Sequence, residues 1–400
     1  MFTFIDRLGN SIKLDPVAGE TIASCLRRHD IPPASVLSEC GGDVLPDSHR
    51  IGDDQDIVGR LIEGYNIGEI RAALAETRKS VGTRSYHARR IMFDIDGSLR
   101  AEAASLDPEA LVNMVCDTVT TTICNFRLIG EGDRVLIGLS GGVDSGALLI
   151  ALQDARARLP EFELCAVTFE DYDSESSPTY AHAHALARDL GIEHHVAPAS
   201  LVEKAFGLNR PLRDVLPELM QTADHDKAMY IDHHTTRRGL ELFAESRGIN
   251  KIALGLHTTD LLAGLLNSIA TGYSVGPVPL RRVGSIDYIY PLSFLQKKVL
   301  HLYHYHKQGT LARHSFPNSW EQNPLDRNFY YFLADMMQEY WPGLENYILS
   351  SHNWRLRREK PLTSEACGNC GATLLIQPFM PAGQDECEAC QILQKHGFRT

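Results

Sequence analysis

A chain of 400 residues, 44% of them apolar, with a net charge of −12, is long enough for two or three cores and apolar enough to fill them. No apolar run nears the ~20 residues a membrane-spanning helix needs, and MFTFIDRLGN lacks the basic start and long apolar segment of a secretory signal, so no membrane partner and a cytoplasmic location are expected. The acidic balance argues against a surface built broadly for nucleic acid, leaving two local basic patches, Arg78-Lys79 to Arg89-Arg90 and Arg355 to Lys360, that read equally as solvated helix faces or linker.

Residues 1–70 read as short strands around one helix. MFTFIDRLGN and SIKLDPVAG form a hairpin turning at Gly9-Asn10. Glu20-Thr21 opens a helix through Ile22, Cys25 and Leu26 that Pro32-Pro33 stops. Strands follow on either side of Gly41-Gly42 and in DIVGRLIEG. This order, and the stretch GGDVLPDSHRIGDDQDI, resemble the β-grasp fold of ubiquitin-like sulfur carriers. Free carriers end in Gly-Gly, whereas here the chain continues into GYNIGEIRAAL; the resemblance therefore implies a docking or structural domain.

Residues 71–125 are expected to be a helical linker, with Asp107-Pro108 as an N-cap and first helical residue. Cys116 and Cys124, eight apart, share a helix face and read as core cysteines, as do the other scattered cysteines, Cys25, Cys40 and Cys165. From residue 133, apolar strands alternate with helices: VLIGL, GALLIALQDARARL, FELCAVTF, AHAHALARDLG, HHVAPA and KIALGL. That alternation predicts an α/β fold, a parallel sheet covered by helices on both faces, spanning about 126–310. A helical extension over 311–362 and a cysteine-rich segment over 363–400 complete the expected domains.

The first strand ends in Leu139-Ser140-Gly141-Gly142-Val143-Asp144-Ser145 and passes directly into a helix. Glycines there leave bare backbone N–H groups in a concavity, and the helix dipole adds positive potential. The ligand expected is a phosphate. Ser140 and Ser145 add hydroxyl donors, and Asp144 can hold Mg²⁺ or orient a nucleotide. The pattern is neither the Walker loop nor the dinucleotide fingerprint. It resembles the PP-loop, Ser-Gly-Gly-x-Asp-Ser, of the N-type ATP pyrophosphatases. Membership implies that ATP is cleaved between its α and β phosphates and that a carbonyl oxygen is adenylated. It also implies adenine contacts at Val167-Thr168.

Gly132-Asp-Arg-Val-Leu-Ile-Gly-Leu-Ser-Gly-Gly-Val-Asp-Ser145, Arg237-Arg238, Ala253-Leu-Gly-Leu-His-Thr-Thr-Asp260 and the following Leu-Leu-Ala-Gly-Leu-Leu-Asn267 resemble the TtuA/TtcA-type tRNA thiolation enzymes. Val143 stands where those carry Lys, and Thr259 where they carry an acid. The resemblance implies thiolation of a nucleobase in tRNA, with Arg237 facing departing pyrophosphate. His257 and Asp260 would face the activated oxygen, and Gly255 the nucleotide. A sulfur donor or carrier protein and a homodimer also belong to this expectation.

One departure matters. Those thiolases carry Cys-x-x-Cys before Arg-Arg and a third cysteine downstream, holding an iron–sulfur cluster. Here Asp224-His-Asp-Lys-Ala-Met-Tyr-Ile-Asp-His-His-Thr-Thr-Arg-Arg238 and Arg313-His-Ser-Phe-Pro-Asn-Ser-Trp320 contain no cysteine. A cluster is therefore not expected, and a small-molecule acceptor, or a non-catalytic ATP-binding scaffold, stays open. Asp224, His225, Asp226, Asp232, His233, His234 and His257 can be read as ligands for Zn²⁺, Mn²⁺ or Fe²⁺, but their spacing favours polar contacts or an exposed helix face. His194-His195 and His301, His304 and His306 read as surface residues. Cys367-x2-Cys370 and Cys387-x2-Cys390 have the spacing of a structural Zn²⁺ site that a short segment needs in order to fold.

Overall fold

The computed structural model describes residues 1–6, 9–62, 91–93, 99–101, 108–170, 178–224, 227–271, 275–309, 325–340, 344–358, 363–376 and 385–399. The expectations that fall on Arg78 to Arg90, His225-Asp226 and Arg313 to Trp320 lie outside these residues.

The N-terminal strands are β1 (Phe2–Ile5), β2 (Ser11–Leu14), β3 (Val36–Cys40), β4 (Asp43–Leu45) and β5 (Ile57–Leu61). They form one sheet ordered β2-β1-β5-β3-β4, in which only the β1–β5 pair is parallel. Helix α1 (Ile22–Arg28) begins where the Thr21 hydroxyl accepts the Ser24 N–H at 3.2 Å. Its Ile22, Cys25 and Leu26 fill the core with Phe2, Phe4 and Ile57. The tight turn at Gly41 and Gly42, with φ +60° and +94°, needs glycine's access to left-handed backbone.

Next come the short antiparallel strands β6 (Ile91–Phe93) and β7 (Leu99–Ala101). These strands fall within 71–125, expected to be a helical linker, where strand pairing overrides a weak local helical pattern. Helix α2 (Pro108–Phe126) then starts at the proline as expected. Its cysteines do not share a buried face: Cys116 is half-buried and Cys124 exposed, because helix positions drift around the axis over eight residues.

The large sheet is built from β8 (Asp133–Gly138), β9 (Phe162–Phe169), β10 (Glu193–Ala197), β11 (Lys251–Ala253), β12 (Leu280–Val283) and β13 (Ile286–Ile289), ordered β10-β9-β8-β11-β13-β12. All neighbours are parallel except the edge pair β12–β13. Alternate strand residues serve different layers. Val135, Ile137, Ala253 and Ile289 pack with α2, α3 (Val143–Ala155), α4 (Pro178–Asp189) and α9 (Lys297–Gln308). Leu136, Ile252 and Tyr288 face the opposite layer of α5 (Ser200–Phe206), α6 (Leu212–Leu219) and α7 (Ala228–Ser246). Burial on both faces explains why these strands read as continuous apolar runs.

Helix α8 (Thr258–Thr271) follows β11, and α10 (Leu325–Tyr340) and α11 (Leu344–Arg358) pack beside it. Phe332 of α10 is buried in the N-terminal core. Lys298 of α9 donates to the Pro33 carbonyl at 2.8 Å and pairs with Asp47, so the first sheet is joined to the second. The chain ends in the hairpin β14 (Thr363–Ala366) and β15 (Thr373–Ile376), then α12 (Glu388–Lys395). Among the described residues no helix is long and apolar enough to cross a membrane.

Candidate active site and cysteine centre

The β8–α3 corner is ordered by its own side chains. Gly141 takes φ +78°, and Gly142 is the N-cap of α3 with no side chain to cap it. The Ser140 N–H faces Ser145 Oγ at 3.3 Å, and the two hydroxyls lie 3.1 Å apart. Ser145 Oγ donates to the Gly142 carbonyl at 3.2 Å. Leu139 is tied to the neighbouring strand by its N–H to the Val167 carbonyl at 2.8 Å. The Thr168 hydroxyl donates to the Leu139 carbonyl at 2.6 Å, so its oxygen accepts from His194 Nε2 at 2.8 Å. Burial and the neighbouring His184 hold His194 below its ordinary pKa, so it stays neutral. It is half-buried and bonded, a correction to its reading as a surface residue.

The end of β11 closes on this corner. A Cβ at Gly255 would lie 2.9 Å from the Asp144 carbonyl carbon and oxygen and 3.1 Å from the Ser145 nitrogen. Only glycine permits that approach. It delivers His257, fully buried, and Asp260, on the first turn of α8, to Asp144. His257 Nε2 is 3.3 Å from Asp260 Oδ2 and 3.8 Å from Asp144 Oδ1. His257 Nδ1 accepts the Asp260 N–H at 3.4 Å, capping α8. With Nδ1 taken up by that N–H, Nε2 is the ring nitrogen left beside the two carboxylates, hydrogen-bonded to neither.

Asp144, His257 and Asp260 form one of two described groups whose ligand atoms lie within 4.8 Å of one another. Asp144 Oδ1 and His257 Nε2 are buried without a hydrogen-bond partner, and such atoms need a ligand. The two carboxylates suit a hard cation such as Mg²⁺, which takes one or two protein carboxylates and completes its shell with phosphate and water.

Sequence reasoning missed three neighbours. His301 and His304 of α9 are 4% and 1% exposed, which corrects their placement at the surface. His301 Nε2 is 4.0 Å from Asp144 Oδ1, and His304 Nε2 would touch a Cβ at Gly146 at 3.2 Å. Burial, then the charge of His182, pushes the His304 pKa down to about 4. The i, i+3 spacing on one helix was the available signal. Tyr331 of α10 donates its hydroxyl to Asp260 Oδ1 at 2.7 Å across 71 residues of chain, and no local pattern marks that contact.

Arg237 sits apart from this group. Its guanidinium is 3.4 Å from Glu241 Oε1 and donates to His234 Nδ1 at 3.3 Å and to the Thr373 carbonyl at 3.4 Å. Arg238 donates to the Cys370 carbonyl at 2.9 Å. Both arginines of α7 thus reach the C-terminal segment. The alternative of a histidine–aspartate metal centre here gains no support from the described side chains: His234 is buried, stacked on Tyr230 at 5.7 Å, and Asp224 is held by Lys395 and His396, each at 2.6 Å. Among the described residues these side chains form no metal-binding group with His257.

The second group is Cys367, Cys370, Cys387 and Cys390, all buried. Cys367 and Cys390 Sγ are 3.9 Å apart, and Cys370 and Cys387 Sγ 3.7 Å. A tetrahedron with metal–sulfur bonds of ~2.3 Å has edges of about 3.8 Å, so the four fit one Zn²⁺. Thiol hydrogen bonds from Cys387 and Cys390 push Cys370 below the ordinary thiol range, favouring the thiolate a metal needs.

Comparison with known proteins adds four findings. A family model described as asparagine synthase matches residues 131–205. The tRNA-cytidine(32) 2-sulfurtransferase of Nitrosomonas europaea is 31% identical over 254 residues, covering 60% of this chain and 72% of that protein. Its counterpart in Polynucleobacter asymbioticus is 32% identical over 202 residues, covering 48% of this chain and 60% of the relative. Among solved structures, the U34-tRNA thiolase NcsA from Methanococcus maripaludis with its [4Fe-4S] cluster superposes with a TM-score of 0.53 at 16% identity. It covers 80% of this chain and 97% of that one, a likeness of fold.

Proposed function

The chain belongs to the family of the tRNA-cytidine(32) 2-sulfurtransferases, and on that premise we propose that it adenylates a nucleobase carbonyl in tRNA with ATP and replaces the oxygen by sulfur. The carrying observation is the meeting of the Ser140–Ser145 corner with Asp144, His257 and Asp260. The corner's N–H groups and the α3 dipole would receive the phosphates. Leu139, Val143, Val167, Thr168 and Gly255 would frame the nucleotide. Mg²⁺ held by Asp144 and Asp260 would neutralise charge on the departing pyrophosphate.

The carbonyl oxygen attacks the α-phosphorus, and pyrophosphate leaves with the electron pair of the bond broken. Sulfide then adds to the activated carbon and AMP departs with the oxygen; where the donor is a carrier protein's terminal thiocarboxylate, water then cleaves its acyl–sulfur bond, leaving the sulfur on the base and freeing the carrier carboxylate. His257 Nε2, buried and without a hydrogen-bond partner, would donate to the phosphoryl oxygens as charge builds. Tyr331 and the backbone cap fix Asp260 and His257 in place. Arg237 is assigned to the junction with the cysteine segment, which the tetrathiolate Zn²⁺ would stabilise.

Sulfur transfer without an iron–sulfur cluster on α7 is part of this reading, because Asp224 to Arg238 offers no thiolate. The same observation supports a second acceptor class, a small molecule bearing a carbonyl. Incubation with ATP, Mg²⁺, sulfide and bulk tRNA, followed by digestion, should yield a thionucleoside. Asp144→Asn should lower its formation at least 100-fold. AMP release with no thionucleoside, but dependent on a small metabolite, would shift the reading to that acceptor.

A further inference from the structure

A groove of about 290 Å³ lies between the end of α2 and α11. Phe126, Phe294 and Trp354 line it above Val278, Ser293 and Leu349. Phe126 and Phe294 stack with centroids 5.7 Å apart and an interplanar angle of 21°. Trp354, on α11, is 55% exposed, and Phe126, at the end of α2, is 37% exposed. Large aromatic faces left in water at one place mark a binding surface.

Two further observations say what the groove takes. Arg127 adjoins Phe126, and Arg355 and Arg358 adjoin Trp354, all three exposed. The Arg358 guanidinium lies over the Trp354 ring at 4.1 Å. In a chain of net charge −12, this is a local positive rim around an aromatic slot. The floor also leads to the candidate active site. The Ser293 carbonyl accepts the Thr258 hydroxyl at 2.8 Å, and the Leu295 carbonyl accepts the Thr258 N–H at 3.0 Å. Thr258 is the residue after His257.

We infer that this groove holds an unstacked nucleotide of the RNA substrate, its base against Trp354 and the Phe126–Phe294 pair and its phosphates against Arg127, Arg355 and Arg358. A base stacked in a helix cannot present its carbonyl to a buried site; it must be splayed out, and aromatic faces offset the lost stacking. The inference rests on the tRNA reading above and names the surface that performs this step.

The test is binding of bulk tRNA to the full-length chain by filter retention between 50 and 200 mM salt. Trp354→Ala should weaken binding at least fivefold, and Trp354→Phe should restore most of it. Arg355→Gln with Arg358→Gln should lower the slope of log affinity against log salt by about 1 to 2. Thermal melting of each variant separates loss of binding from loss of fold. Tight wild-type binding that all three variants retain overturns the groove and leaves the tRNA reading standing. Absence of wild-type binding overturns both. A change in sedimentation with Trp354→Ala and none in RNA affinity makes the face a contact between copies of the chain, and the inference falls.

Discussion

His257 does three things at once: its ring is fully buried, Nδ1 caps α8, and Nε2 faces two carboxylates. That division of labour needs a histidine, since neither asparagine nor lysine offers an acceptor and an opposed donor on one rigid ring. Nearby His304 is also buried, but it is held neutral rather than placed against a carboxylate, and this makes it a stability switch. Its folded pKa of about 4 lies below the ~6.5 of an unfolded histidine. Between those values the unfolded chain binds a proton that the folded chain does not. His304 is therefore without cost above pH 6.5, and stability falls as pH drops toward 4, by a total approaching about 3 kcal/mol. Urea denaturation of wild type and His304→Gln at pH 7.5 and 4.5 should show the wild type losing more. An equal loss in both would contradict the assignment. The sequence showed Ser140 to Ser145, His257 and Asp260 plainly, because each lies in a short motif at a strand end. It concealed His301, His304 and Tyr331, which reach the site through helix packing.

Helix α7 shows what an element can do when its motif residues change. Where the resemblance to the thiolases would put cysteines, this helix presents Tyr230 and His234 as a stacked pair, and its arginines run to the C-terminal hairpin. The C-terminal segment is docked further through α12 and the residues after it, by Lys227–Glu388 at 3.2 Å and by the Asn209 N–H to the Phe398 carbonyl at 3.0 Å. Its cysteines share one apolar cluster with α5, α6 and α7. Metal analysis of the purified chain should give one zinc and no iron. Cys370→Ser should release the zinc and lower the melting temperature by several degrees, as loss of a structural metal does. Iron in stoichiometric amount would contradict the cluster-free reading. The cysteine spacing was legible in sequence. The arginine contacts were not, because they join residues more than 130 apart.

On the scale of the molecule, α10 joins the parts. Tyr331 reaches Asp260 in the site, and the next residue, Phe332, is buried in the core of the N-terminal sheet. Adjacent helix positions point about 100° apart, so one turn serves both. The alternation of strands and helices made the parallel sheet readable in advance, and turn residues did the same for the N-terminal sheet. How the two sheets meet depends on Lys298, Asp47 and Phe332, whose roles no local pattern reveals.

The central claim is that the Ser140–Ser145 corner with Asp144, His257 and Asp260 breaks ATP between its α and β phosphates. Phosphorus NMR of the nucleotide products, with ATP, Mg²⁺, sulfide and bulk tRNA present, tests this directly. AMP and pyrophosphate in equal amounts are predicted; ADP and orthophosphate as the products would contradict it.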